Sequence, residues 1–209
     1  MTKTYYETGQ QIIKLIKEQL TNKDRTYSFA DFGSHQGELM KVVLDQLSDY
    51  HLNTIAIDTL GSLKSNQVAD ELVPADLTHI PLKDHSVDFG MTRYVLQWNT
   101  LTDQAKILSE VNRVVKDFAI IQHVGADQDC LQDWQHNLDQ VLDGSLIPKL
   151  RRTNYYFSSP EQIEEIMAEN GLNFQRLSYQ KIDQMSEIYI TRFALNPDES
   201  ELIKKNTSR

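Results

Sequence analysis

The stretch ADFGSHQGELM sets Asp31, Gly33 and Gly37 in an Asp-x-Gly-x-x-x-Gly pattern, between an apolar run and a helix-like segment. That combination suits a polar ligand. Gly33 permits a sharp turn and a close backbone approach, and the following helix presents N–H groups that lack partners inside the helix. Alone, the pattern is equally an ordinary structural turn. Asp58 adds to it: it ends the next apolar run, NTIAI, about twenty-five residues beyond the glycine turn. An acidic residue there can accept both hydroxyls of a ribose; its bland reading is a solvated strand end. A third group is Ala75-Asp76-Leu77, followed by Ile80-Pro81-Leu82 and Ser86-Val87-Asp88-Phe89.

These residues need elements to hold them. Ile12, Leu15, Ile16 and Leu20 recur at helical spacing, predicting an amphipathic helix from about Thr4 to Leu20. Strands are predicted at Tyr27–Phe32, Asn53–Ile57, between Asp70 and Asp76, at Val87–Thr92 and at Phe118–Val124. The last is apolar apart from two residues, as a central buried strand should be. Helices are predicted at Leu39–Leu47 and Thr102–Val115. This alternation implies an α/β fold: a Rossmann-like, doubly wound, mostly parallel sheet with helices on both faces. Ser158-Ser159-Pro160-Glu161 reads as a helix start and Gly171 as its stop. Two runs follow closely, Phe174–Ile182 and Glu187–Leu195, and the short link predicts an antiparallel carboxyl-terminal hairpin.

The 209 residues suit one domain, 1–209, with a helix or lid at 1–22, a substrate-cap insertion at 126–157 and a frayed tail at 197–209. Hydrophobic residues at 40% and charged residues at 24% are ordinary globular proportions. A formal net charge of -9 disfavours broad nucleic-acid binding. Cys130 is the only cysteine, so intrachain disulfides and thiolate metal sites are excluded, and no metal is expected. Glu7, Glu18 and the lack of a continuous apolar run in MTKTYYETGQQIIKLIKEQL do not read as a secretory signal, so none is expected there, and no apolar run reaches membrane-spanning length. A cytoplasmic protein, monomer or homodimer, without membrane partners is expected.

The segments ADLTHIPLKDHSVDFGMTRYVLQW and ILSEVNRVVKDFAIIQHVG resemble class I S-adenosylmethionine-dependent methyltransferases, specifically the type 11 group, from about Phe29 to Val124. The resemblance implies S-adenosylmethionine as cofactor and a small-molecule acceptor. It implies that Asp31 orients the methionine end, with Gly33, Ser34 and Gly37 giving backbone room or contacts. It further implies that Asp58 holds the ribose, that Asp76 and Leu77 meet the adenine, and that Thr92 and Arg93 flank the methionine moiety. One residue departs from the family pattern: His35 stands where another glycine is usual, with three readings open, namely crowding the cofactor, contacting its carboxylate, or facing solvent.

Methyl transfer from a sulfonium is an in-line displacement, so alignment matters most, and a base is needed only if the accepting atom carries a proton. His123 is the candidate base, as the residue ending the fifth strand; a histidine hydrogen-bonded among strand ends is the alternative. Tyr94 and Trp98 are candidates for an aromatic wall near the sulfonium, with Trp98 equally readable as a core anchor. Tyr5 and Tyr6 are candidate lid residues. Arg151 and Arg152, with Tyr155, are candidates for the acceptor pocket, against the commoner reading of a solvated basic loop. Two rivals are weighed. A nicotinamide-dependent oxidoreductase would share the strand–glycine–helix start, but Gly-x-Gly-x-x-Gly and Tyr-x-x-x-Lys are both absent. A non-catalytic scaffold that binds a partner protein is kept open by His35.

Overall fold

Strand β1 (Thr26–Phe32) is buried without interruption from Phe29 to Phe32, as a parallel strand covered on both faces must be. β2 (His51–Asp58) and β3 (Glu71–Pro74) continue the sheet on one side; β4 (Val87–Arg93) and β5 (Val115–His123) continue it on the other. All four pairings are parallel, giving the doubly wound α/β sheet expected from the alternation of periods. β6 (Phe174–Asp183) and β7 (Ser186–Phe193) pair antiparallel, and β7 lies antiparallel to β5. The full order is β3-β2-β1-β4-β5-β7-β6. The winding direction reverses between β1 and β4, and in open α/β sheets ligands bind beyond the carboxyl ends of strands at such a point. The computed structural model describes residues 3–123, 160–172, 174–183 and 186–193. The expected cap at 126–157, with Arg151, Arg152 and Tyr155, and the tail at 197–209 lie outside the described residues.

Helices α1 (Lys3–Gln19) and α2 (Glu38–Gln46) cover one face. Ile12, Ile16, Met40 and Val43 pack there on Phe29, Phe89 and Phe118. Those three rings stack across neighbouring strands, with centroids 4.8 Å and 5.2 Å apart. Burying each contributes roughly 1.5–3 kcal/mol. Helices α4 (Leu101–Val114) and α5 (Pro160–Glu169) serve the other face, where Ile107, Leu108, Val111, Ile163 and Met167 meet Phe32, Ile57 and Ile121. α4 starts at a Thr100 cap whose hydroxyl accepts from the Asp103 N–H at 3.2 Å.

Three local features differ from expectation. α4 runs straight into β5, which begins at Val115 rather than Phe118, because Val115 is already paired with Val87. The four-residue helix α3 (Leu60–Leu63) and the 3-10 turn Leu96–Trp98 are too short to leave a periodic signature.

Candidate functional site

The chain bends sharply where it leaves β1 and β4. Gly33, His35 and Gly37 have φ of 84°, 47° and 77°, and Tyr94 after β4 has φ 52°. The β1 loop is tied to β2: the N–H groups of Gly33 and Ser34 both donate to the Ile57 carbonyl, at 2.7 Å and 3.3 Å. A side chain at Gly33 has no room, since its Cβ would lie 2.3 Å from Val95 Cγ2. Gly37 caps α2 in the left-handed conformation without a side-chain cap, leaving the first turn of the helix facing the loop.

Three carboxylates stand around this loop in different surroundings. Asp31 is 4% exposed, and burial pushes its pKa up to about 7. The Arg93 charge opposes that shift and the Asp58 charge adds to it. Asp58 accepts the His35 N–H at 2.9 Å on Oδ2 and the Thr59 N–H at 2.6 Å on Oδ1. Asp76 is exposed and held below the usual carboxylate range by the Thr78 N–H and hydroxyl, each 2.8 Å from Oδ1.

Two cavities open here. The larger, about 900 Å³, runs past Asp58, Asp76 and Leu77 to Trp98 and Ile107. The smaller, about 170 Å³, is bordered by Asp31, Ser34, Gln36 and Glu38. Gly33, His35, Arg93 and Tyr94 line both, so the cavities meet at the ends of β1 and β4.

Residues 30–121 match the type 11 methyltransferase-domain family model. The chain is 37% identical over 119 residues to malonyl-[acyl-carrier protein] O-methyltransferase of Yersinia pestis. That alignment takes in 55% of this chain and 40% of the relative, so the chain spans less than half the length of the curated relative it matches. The fold is shared with human N-acetylserotonin methyltransferase in complex with S-adenosylmethionine (TM-score 0.64, 13% identity, 90% of this chain and 52% of that one). It is shared also with magnesium protoporphyrin IX methyltransferase from Synechocystis PCC 6803 with bound S-adenosylhomocysteine (TM-score 0.63, 12% identity, 91% and 84%). The family likeness thus lies in residues 30–121, less than half of the chain, and the solved structures share its fold.

In this chain most of the residues singled out in the sequence come together. Asp31, Gly33, Ser34, His35, Asp58, Asp76, Leu77, Arg93, Tyr94 and Trp98 line one or both cavities. Thr92 does not: it is 1% exposed and, as Arg93's neighbour on a strand, points to the opposite face of the sheet. Trp98 is 42% exposed, so it is no core anchor. His35 adopts a left-handed backbone conformation, which explains the family's usual glycine, and its side chain is exposed. His123 is the last residue of β5. No group of three or more residues fit to hold a metal occurs among the described residues. Likewise no described helix is long and apolar enough to cross a membrane.

Sequence reasoning missed Asn66. Its side chain is 5% exposed and braces the glycine loop, with Nδ2 donating to Ser34 Oγ at 3.5 Å and to the His35 carbonyl at 3.4 Å. Its Oδ1 accepts from the Val68 and Ala69 N–H groups. Asn66 lies outside the predicted elements, and only the folded chain brings it to Gly37.

Proposed function

We propose that this chain transfers a methyl group from S-adenosylmethionine to a small-molecule acceptor, at the junction of the two cavities. The observation that carries the reading is Asp31: a buried carboxyl with its pKa raised to about 7 beside an open space, where a cationic group would restore its charge. The ammonium of the methionine end supplies such a cation. A cavity of about 900 Å³ leading from this point past Asp58 and Asp76 fits the adenosine end.

When bound, the cofactor supplies a methyl group made electrophilic by its sulfonium. Each protein group then has a part. Asp31 pairs with the ammonium, and Gly33 and Ser34 shape the loop around the methionine end. Asp58, already oriented by two N–H groups, accepts the ribose hydroxyls on its remaining lone pairs. Asp76 and Leu77 border the adenine. Tyr94 and Trp98 wall the junction and exclude water. His123 takes the proton from an acceptor that still bears one. Alignment of this kind can supply roughly 7–11 kcal/mol of the barrier. The segment 1–22 serves as a lid and 126–157 as the acceptor cap.

Calorimetric titration with S-adenosylmethionine and S-adenosylhomocysteine, with NAD(H) as control, tests the reading. Binding of the first two is expected, weakened ten- to a hundredfold by Asp58→Ala through loss of charge-assisted hydrogen bonds worth roughly 1.5–3 kcal/mol. No binding of either would leave a fold likeness and favour the scaffold. Unchanged affinity in a folded Asp58→Ala protein would remove the ribose assignment. For the base, His123→Ala is expected to lose turnover while retaining cofactor affinity; turnover kept across the pH range would remove it from that role.

A further inference from the structure

The connection between β2 and β3 is built to hold one side chain still. Near β3, Asp70 pins it to β2: Asp70 Oδ2 accepts the Thr54 N–H and hydroxyl, both at 2.8 Å, and the Asp70 N–H donates to Thr54 Oγ1 at 2.9 Å. Near α3, the Asn66 N–H donates to the Leu63 carbonyl at 3.0 Å. The Asn66 side chain is 5% exposed. A primary amide offers two N–H donors and two acceptor lone pairs, and here all four find partners. Oδ1 accepts from the Val68 N–H at 3.1 Å and the Ala69 N–H at 3.4 Å, closing its own turn. Nδ2 donates to Ser34 Oγ and to the His35 carbonyl, both in the glycine loop. Gly37 makes room for this amide: a Cβ there would lie 2.8 Å from Asn66 Oδ1 and 2.9 Å from Nδ2.

The tie to His35 matters because of what holds the other end of that residue. The His35 N–H donates to Asp58 Oδ2, while its carbonyl accepts from Asn66. These two groups lie on either side of the N–Cα bond, the axis of φ, so together they keep His35 at φ 47°. A residue with a Cβ is strained there, and without a brace it relaxes toward negative φ. The loop is anchored on both sides of His35, by the Ser34 N–H on the Ile57 carbonyl and by the Gly37 N–H on the Ser34 carbonyl. A relaxing His35 therefore tilts both of its peptide groups, and its N–H swings off Asp58. Among the described residues the Thr59 N–H would then hold the Asp58 carboxylate alone. Asn66 itself borders neither cavity, so it reaches a ligand only through His35 and Asp58, which do.

Building on the methyltransferase reading above, we infer that Asn66 is the positioning residue of the ribose carboxylate: by holding His35 in the left-handed conformation, it keeps Asp58 aimed at the ribose hydroxyls. A glycine at position 35 would need no such brace, because glycine adopts positive φ about as readily as negative. Asn66 is thus the counterpart of His35, and the two act on Asp58 as a unit.

The test is calorimetric titration of the full chain with S-adenosylhomocysteine and with its 2′-deoxy analogue, below each variant's melting transition. The wild type should prefer the parent by about tenfold or more, as expected for a hydrogen bond to a charged group. Asn66→Asp keeps the acceptor for Val68 and Ala69 and removes the donor to the loop. Asn66→Ser, neutral and shorter, keeps a weaker form of the same turn and covers the case in which the buried carboxylate prevents folding. In either variant affinity for the parent should fall about tenfold, and its preference over the analogue should shrink to within about threefold. Made in a His35→Gly background, the same substitutions should change parent affinity by no more than about threefold. A side chain that merely packs would give neither the lost preference nor the rescue. Equal losses for the two ligands, equal losses in the two backgrounds, or unchanged affinity would each overturn the inference. The wild-type titrations separate a failure of the underlying reading. Equal binding of both ligands removes the ribose assignment, binding of neither fails the methyltransferase reading, and each takes the inference with it.

Discussion

The two ends of the parallel sheet use charge in opposite ways. At the amino ends, charged side chains are paired with one another. Arg25 forms an ion pair with Asp88, whose Oδ2 also accepts from the Ser28 N–H and hydroxyl at 2.8 Å and 3.0 Å. Arg113 donates to both oxygens of Glu110, to Asp84 and to the carbonyls of Ile80 and Leu82, all within 2.8 Å. Glu110 is held below the usual carboxylate range by Arg113. At the carboxyl ends, Asp58 and Asp76 are held by N–H and hydroxyl donors, Asp31 is raised by burial, and the backbone is bent at four positive-φ residues. One end holds the fold together. The other leaves interactions for a ligand to complete.

That contrast is broken most severely by Gly33→Ala. The positive φ costs roughly 1–2 kcal/mol and the collision with Val95 roughly 1–3 kcal/mol more. Cofactor affinity by calorimetry should fall a hundredfold or more, together with a lower Tm. Arg113→Ala is the matching test at the other end. It removes the donor to the carbonyls of Ile80 and Leu82 and the partner of Glu110 and Asp84, and unfolding by urea should show a loss of about 2–3 kcal/mol. Its S-adenosylhomocysteine affinity should stay unchanged below the melting transition. If affinity fell with stability, the division between the two ends would be wrong.

Asp31 sharpens the comparison through pH. Its folded pKa, about 7, lies above its ordinary value, so between about pH 4 and 7 the folded state holds a proton that the unfolded state has released. The ligand-free protein therefore loses stability as pH rises through that window. Cofactor binding moves oppositely: affinity should drop several-fold from pH 7.5 to 6 as the carboxyl protonates. Asp31→Asn should flatten both dependences and raise the ligand-free Tm at pH 8 by a few degrees, while weakening the cofactor. The smallest effect belongs to His35→Gly. Relief of its left-handed backbone should stabilise by about 0.5–1 kcal/mol, or roughly 1–4 °C in Tm.

Much of the carboxyl-end site was legible because its parts are local. A strand, a glycine turn and a helix are contiguous from Thr26 to Gln46, and Asp58 announces itself as the end of an apolar run. Thr92 and Arg93 show where adjacency misleads, since neighbours on a strand face opposite ways and only Arg93 reaches the cavities. Asn66 was not legible, because it acts through a loop folded back on Ser34. The Arg113 cluster was equally hidden, because its partners lie up to thirty-three positions away.

The order β5-β7-β6 also has a temporal side. About sixty residues separate the end of β5 from the start of β7, the strand that covers its free edge. At 5–20 residues per second, a ribosome needs roughly 3–12 seconds to span that gap. Throughout that interval the apolar run Phe118–Ile121 borders an open edge, the template on which unrelated chains pair. Slowing translation between β5 and β7 should therefore lower the soluble yield of this protein more than an equal delay before β1.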